Sequence, residues 1–205
     1  LEQIPNPSFT PDKNNVIPIL DDGWFSDDIV ERFRKFIKVA FGEEQYESNM
    51  QFIEQALGKN GKPRDIRDYF LKDFYDDHVK RYKKRPIYWL FTSGNFSALI
   101  YMHRYQPDTV SIVLNDYLRE FRTKLNAYKD QLDTIKISSS QSQSEKTKAI
   151  KKLETTTKMI TEMEEYERDV LYPLATKQID IDLDDGVKVN YPKFGKALKK
   201  VTGLS

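Results

Sequence analysis

The sequence contains no cysteine, which excludes a disulfide framework and a thiolate metal site. It also lacks any apolar run near the ~18 residues that a membrane span needs, and no signal peptide is visible. We therefore expect a cytoplasmic protein with no membrane partner. Only two histidines are present, His78 and His103, and neither has a second histidine one helical turn away. The sequence accordingly predicts no metal site.

Motifs for catalysis are absent as well. No glycine-rich phosphate loop, no pairing of a histidine with a nucleophile and no cofactor motif is visible, and the many carboxylates have no specific spacing. This segment alone is therefore not expected to be an enzyme or to bind a cofactor.

Net charge is close to zero, with 33 basic and 32 acidic residues, but the charge is unevenly distributed. Residues 59–85 hold ten Lys and Arg against five Asp, and residues 187–205 hold five Lys and no acid. These two basic segments are either ordinary solvated faces or parts of one positive surface that meets phosphates. The sharpest cluster is at residues 80–85, where five of six residues are basic.

What the sequence does have is an apolar and aromatic centre at residues 85–121. Residues 87–92 and 97–103 are β-favouring runs around the turn residues Ser93-Gly94-Asn95, which predicts a hairpin covered on both sides. Pro107 and Asp108 then begin a long helix. At 205 residues the chain is long enough to build a core here, as one domain or a small domain with an appendage.

Amphipathic helices are predicted before this centre. Val16–Leu20 is either a short strand or an apolar anchor, and Ser26 then caps a helix that Gly42 ends. A second helix covers residues 43–57, and a third runs from Pro63 to about residue 84. Residues 1–15 are expected to lie extended over the surface.

A long helical hairpin is predicted over residues 108–172. Its first arm has a strict heptad seam, and its second begins with Ile150, Leu153, Thr157 and Ile160 and is broken by Pro173. The serine-rich residues 138–144 form a mobile loop between the arms. The first seam consists of Leu114, Leu118, Phe121, Leu125, Tyr128, Leu132 and Ile135.

The C-terminal part predicts a second hairpin and a last helix. Residues 179–183 and 187–191 both alternate apolar and polar residues, which predicts strands joined by Asp184-Asp185-Gly186. A helix should then start at Pro192 and carry its lysines outside. The fold class is thus α+β and mainly helical, with small antiparallel β-hairpins and a long antiparallel helical arm.

Several phrases resemble one family. They are K-R-P-I-Y-W-L-F-T-S-G, A-L-I-Y-M-H-R-Y-Q-P-D-T, D-D-G-V-K-V-N-Y-P-K-F-G-K-A-L and the earlier N-N-V-I-P-I-L-D-D-G-W-F-S-D-D-I-V-E-R-F. Together they look like the C-terminal region of PglX-type adenine-specific DNA methyltransferases of BREX phage-defence systems, which are similar to large methylase subunits of restriction-modification systems. The start at Leu1 also fits a piece of a longer protein.

The resemblance implies a part of an enzyme. The parent would use S-adenosylmethionine, bound elsewhere, to methylate adenine, and residues 1–205 would be a single C-terminal accessory domain of the DNA-recognition type. Asn6-Pro7-Ser8-Phe9 faintly resembles the base-holding motif of such enzymes, but only five residues precede it. No buried strand can lead into it, so we interpret it as a surface turn.

Two functions follow as hypotheses. In the first, the chain grips or recognises double-stranded DNA, with backbone contacts from Lys80, Arg81, Lys83, Lys84, Arg85, Arg104, Lys193 and Lys196. In the second, it is a protein-interaction module that docks the methyltransferase domain of the same chain or other defence-system proteins.

Overall fold

A three-stranded antiparallel sheet lies at the centre of the computed structural model, which describes residues 9–204. Strands β2 (Tyr88–Thr92) and β3 (Ser97–Tyr101) form the predicted hairpin, and β1 (Val16–Pro18) adds to the other edge of β3. The strand alternative for this early segment is therefore the correct one. The predicted turn over Asn6-Pro7-Ser8 lies outside the described residues, as does most of the extended segment.

The first two helices are close to their predicted positions. Helix α1 covers Ile29–Phe41 and ends at Gly42, and α2 covers Tyr46–Ala56. The cap of α1 is Asp28 and not Ser26, because the buried Asp28 carboxylate accepts the backbone N–H groups of Val30 and Glu31. Arg67 completes this site by placing Nη1 at 2.7 Å from Asp28 Oδ2.

The prediction of one helix from Pro63 to residue 84 is wrong. Two shorter helices replace it, α3 at Ile66–Lys72 and α4 at Phe74–Arg81, and they meet at Asp73. Asp65 supplies the N-cap of α3 through its side chain, so the helix starts after Pro63. The Asp73 carboxylate binds Lys59 and Arg64 from the segment before α3, which fixes the break.

The helical hairpin is confirmed. Its first arm runs through α5 (Thr109–Ile112), a π-helical segment (Val113–Arg119) and α6 (Glu120–Ile137). Its second arm is α7 (Gln143–Tyr166), which a π-helical segment (Glu167–Leu171) joins to α8 (Tyr172–Lys177). Five residues of the predicted first seam are buried, namely Leu114, Leu118, Phe121, Leu125 and Leu132.

The second arm differs from its prediction at both ends. Ala149 and Thr156 are buried where the seam is predicted one residue later, at the exposed Ile150 and Thr157. Helix α7 begins at Gln143 with a capping box between Ser142 and Glu145, so the connecting loop is shorter than residues 138–144. Pro173 does not end the arm, because it sits in the first turn of α8, where a missing N–H is tolerated.

The arm is anchored at its base. Arg119 and Arg122 each bind the carboxylate of Glu167, at 2.6 and 2.7 Å, where the two π-helical segments meet. The β2–β3 turn is held to the same arm, since Asn95 donates its backbone N–H to Glu162 Oε1 at 2.9 Å. Leu125 and Met163 join the main core, whereas Leu132 and Ala149 near the tip are buried outside it. The hairpin is thus core at its base and projecting at its tip.

The predicted C-terminal hairpin and last helix are wrong. A 3-10 turn (Leu183–Asp185) and helix α9 (Gly186–Asn190) replace the hairpin. Asn190 is fully buried, and its side-chain amide donates to the backbone oxygens of Asp182 and Gly186, which closes the chain into a compact turn. A kinked 3-10 segment (Tyr191–Ala197) follows, and the chain then becomes extended.

Candidate nucleic-acid interface

The basic cluster of residues 80–85 lies where α4 ends. Lys83 and Lys84 both have left-handed backbones, with φ of 50° and 62°, and the Lys84 N–H closes the helix on Val79 O at 2.8 Å. Left-handed residues other than glycine cost free energy and are found at functional sites more often than elsewhere. Here the conformation turns the chain away from the helix axis and leaves Lys83, Lys84 and Arg85 exposed.

The C-terminal segment returns to the same place. Leu198 pairs with Phe91 of β2, and the Lys199 N–H donates to Leu90 O at 2.8 Å. Phe194 anchors the segment, because its buried ring makes edge contacts with Trp89, Phe91 and Tyr105 at centroid distances of 5.3–5.9 Å. Residues 198–202 therefore run along the sheet edge toward α4.

Two contacts lock this segment to α4. Lys199 Nζ lies 2.9 Å from Asp76 Oδ1 and 5.6 Å from the centre of the Tyr75 ring. Beneath it, the hydroxyls of Tyr75 and Tyr191 are 3.1 Å apart, and burial raises the pKa of Tyr75 and brings that of Tyr191 to about 12. Both hydroxyls stay neutral and serve as hydrogen-bonding groups.

The two basic segments consequently share a groove of about 330 Å³, which we call the α4 groove. Lys80 and Lys84 line one side of it and Lys200 the other, with Asp76 as the acidic member. Asp76 is already paired with Lys199. The sequence alone leaves open whether the two segments form one surface; the fold brings them together.

Two further grooves extend the α4 groove. Lys200 also lines the next one with Pro192, Gly195, Lys196 and Leu198. That groove shares Pro192, Gly195 and Lys196 with a third one, which reaches the end of α8. We call the continuous set of lysines along the three grooves the lysine tract, and it consists of Lys80, Lys84, Lys200, Lys196, Lys193 and Lys177.

The lysine tract is positively charged because few carboxylates offset it. Two acids line the three grooves, Asp76 and Asp169, and they pair with Lys199 and Arg168. Within residues 9–204, the side chains of Lys84, Lys177, Lys196 and Lys200 make no ion pair and no hydrogen bond. Lys80 lies 3.8 Å from Asp77, and Lys193 donates to Asp180 O and Asn190 Oδ1. Unpaired ammonium groups in grooves attract polyanions.

The candidate residues from the sequence thus divide into groups. Lys80, Lys84, Lys193 and Lys196 belong to the tract, while Arg81, Lys83 and Arg85 are exposed beside its α4 end without lining a groove. Arg104 is placed elsewhere, since its guanidinium binds Asp12 Oδ2 at 2.8 Å and Asp12 O at 3.2 Å.

Sequence reasoning does not select two members of the tract. On the predicted last helix, Lys200 is only one more lysine on the outer face, and no pattern in the sequence singles out Lys177. The four lysines at 193, 196, 199 and 200 carry a signal in their spacing, but interpreting it needs one regular helix. The chain is a kinked 3-10 segment up to Ala197 and extended after it. Only the fold distinguishes the paired Lys199 from the unpaired Lys200.

No group of three His, Asp or Glu side chains in residues 9–204 is arranged to hold a metal ion. His78 is nearly buried, which lowers its pKa, and its Nε2 accepts the Tyr88 N–H at 3.1 Å. Of the helices in that range, none is long and apolar enough to cross a bilayer.

Comparison with known proteins gives two related sequences. The chain is 37% identical over 97% of its length to the adenine-specific methyltransferase BrxX of Escherichia coli O9:H4 (strain HS). It is 39% identical over 96% of its length to the adenine-specific methyltransferase PglX of Lacticaseibacillus casei (strain Zhang). The chain spans 17% of the length of each of these relatives. No protein-family profile matches it. The resemblance noted in the sequence is confirmed: the chain is similar to a segment of these methyltransferases.

Proposed function

We propose that the chain is a non-catalytic, DNA-contacting part of an adenine-specific DNA methyltransferase. The lysine tract carries this proposal: two basic segments far apart in sequence meet along three connected grooves, and most of their ammonium groups have no partner. The phosphates of a DNA backbone are regularly spaced negative charges, and they would be partners for the lysines that have none within the fold.

The chemistry would then lie outside this chain. A methyltransferase domain of the same protein would bind S-adenosylmethionine and transfer the methyl group to N6 of a flipped adenine. The segment would raise the affinity of the enzyme for DNA by holding the duplex beside that domain. The whole protein would be cytoplasmic. In this proposal, no residue of this chain takes part in methyl transfer.

Duplex binding at two salt concentrations tests the proposal. The chain should bind a fluorescent duplex in anisotropy measurements, with affinity falling steeply between about 50 and 200 mM salt. The double variant Lys84→Ala/Lys200→Ala, on opposite sides of the α4 groove, should bind about tenfold more weakly or worse. Lys148→Ala/Lys158→Ala on the arm is the matched control. Equal losses of affinity in both variants, or no salt dependence, would contradict the proposal.

A second function has its own support in exposed apolar side chains. Phe52 on α2 is 70% exposed, and Ile137 at the tip of the arm is 80% exposed. A protein partner that covered these two side chains would remove apolar surface from water, which favours binding. As a protein-interaction module, the chain would bind the methyltransferase domain or other defence-system proteins. Binding to the separately purified remainder of the enzyme should then be lost in Ile137→Asp and Phe52→Asp, with DNA affinity unchanged.

A further inference from the structure

The side-chain composition of the lysine tract indicates which part of a DNA molecule it contacts. We infer that the tract grips the sugar–phosphate backbone of duplex DNA without regard to base sequence, and that target recognition belongs to other parts of the enzyme. This inference rests on the proposed function and narrows it, since a DNA-contacting segment can provide either grip or sequence readout.

The first argument comes from which side chains line the grooves. Among the described residues, every cation that lines the three grooves is a lysine and no Arg, Asn or Gln lines them, while Arg81 and Arg85 lie beside the α4 end without lining a groove. Base edges are read by Arg or Lys on guanine and by Asn or Gln on adenine, and the planar fork of Arg makes the better paired hydrogen bonds. A lysine ammonium is a flexible point charge that suits a phosphate. The tract is therefore equipped to hold DNA and poorly equipped to discriminate bases.

The surroundings of Asn190 support this argument. It is the amide side chain nearest in sequence to Lys193, and it is fully buried with its Nδ2 committed to the oxygens of Asp182 and Gly186. Its Oδ1 accepts from Lys193. Its polar atoms are thus occupied inside the protein, and none is available for a base.

The second argument separates duplex from single-stranded DNA. Sites for unpaired bases combine positive charge with exposed rings on which the bases stack. The rings that line the grooves are Tyr75 and Phe194, and they are only 3% and 1% exposed. Both are used in packing, against Tyr191 and the sheet. Inside the grooves bases would find no stacking surface, since the exposed rings of Tyr82 and Tyr172 do not line them. A duplex with its bases already stacked is therefore the better ligand.

The third argument concerns the groove between Lys196 and Lys200. Its floor is Pro192, Gly195 and Leu198, which carry no polar side-chain group. A deoxyribose presents mostly carbon between two phosphates, so a strand can lie over this floor with its phosphates at the flanking lysines. No buried polar group is left unpaired in that arrangement.

Binding measurements on a set of DNA ligands test the inference. Several duplexes of about 20 base pairs with unrelated sequences should bind the chain with dissociation constants within about twofold of each other. The corresponding single strands should bind at least about fivefold more weakly. The triple variant Lys84→Gln/Lys196→Gln/Lys200→Gln should weaken all duplexes alike and reduce the salt slope by about 0.9 for each phosphate that is no longer neutralised. Lys129→Gln/Lys148→Gln/Lys158→Gln on the arm is the control.

The outcomes separate the inference from the proposed function. No binding of any DNA contradicts the proposed function and the inference with it. If the chain binds DNA but prefers one duplex sequence by about tenfold, and the triple variant abolishes that preference, the tract reads bases and the inference alone is overturned. Equal affinity for single strands, or an equally weakened arm control, also overturns it while DNA binding stands.

Discussion

Most arginines of this chain are ion-paired and most lysines along the C-terminal grooves are not, and this contrast separates two regions of the molecule. Around the N-terminal helices and the base of the arm, most arginines are held by carboxylates within the fold, and several lysines, such as Lys59 and Lys72, are paired there as well. Along the C-terminal grooves, cations are lysines, and most of them have no partner. The arginines with ion pairs are Arg34, Arg64, Arg67, Arg104, Arg119, Arg122 and Arg168.

The difference has a physical reason. A guanidinium is planar and weakly hydrated, so it can be buried and can satisfy several oxygens at once, as Arg67 does with Asp28 and the carbonyls of Leu20 and Asp22. An ammonium keeps its water and stays at the surface, where it remains available for a ligand. The chain thus has paired arginines that stabilise the fold, whereas Lys84, Lys177, Lys196 and Lys200 along the grooves have no side-chain partner among residues 9–204.

The largest expected effect on stability is at Arg67, one of the paired arginines. Arg67→Ala should lower the free energy of unfolding by about 3–5 kcal/mol, because it leaves the buried Asp28 carboxylate without its cation. Urea denaturation followed by circular dichroism measures this. Arg81→Ala is the control, since Arg81 is exposed and unpaired; its effect should stay within about 0.5 kcal/mol. Similar effects of the two changes would remove the distinction.

The base of the arm should give the next largest effect. Glu167→Gln removes the charge that Arg119 and Arg122 share and should cost about 1.5–3 kcal/mol of unfolding free energy. DNA affinity should remain at the wild-type level or rise slightly, because two arginines lose their partner. Urea denaturation and anisotropy on the same preparation check both. A stable variant with unchanged unfolding would mean that the arm is held by apolar packing alone.

The elements of the fold differ in how well the sequence could predict them. Strong periodic signals predicted α1, the β2–β3 hairpin and the first seam of the arm, because burial of Leu118 or Trp89 decides the local structure there. Side-chain contacts that leave no periodic pattern were not predictable: Asp73 binds Lys59 and Arg64 where a helix breaks, and Asn190 closes a turn where alternation suggested strands. The lysine tract depends on contacts between segments far apart in sequence, such as Asp76 with Lys199, so the sequence identifies only part of it.

A substitution at Asp76 in the α4 groove should increase DNA affinity, whereas the lysine substitutions should decrease it. Asp76→Asn removes a negative charge from the α4 groove and releases Lys199, so duplex affinity should increase by about twofold to fivefold. Unfolding free energy should change by less than about 1 kcal/mol, since the carboxylate is mostly exposed. Anisotropy titration at low salt measures the gain. Weaker binding would indicate that the Lys199–Asp76 ion pair, which holds the C-terminal segment on α4, matters more for DNA binding than the added positive charge of the groove.

The smallest expected effect is a pH dependence at His78. Burial lowers its pKa, so below about pH 6.5 the unfolded chain binds a proton that the folded chain does not, and stability falls as the pH drops from there toward the folded-state pKa. His78→Gln, whose amide oxygen can still accept the Tyr88 N–H, should lose this component. Melting temperatures of both proteins at pH 7.5 and 5.5 measure it. Identical pH profiles would show that His78 does not contribute.

Lysine labelling with and without DNA tests the central claim most directly. The chain is treated with an amine-reactive reagent, alone and with saturating duplex, and the modification of each lysine is measured by mass spectrometry. We predict that duplex protects Lys84, Lys196 and Lys200 while Lys148 and Lys158 on the arm are labelled as before. Equal protection of both sets, or protection of the arm alone, would contradict the assignment of the lysine tract as the DNA-binding surface.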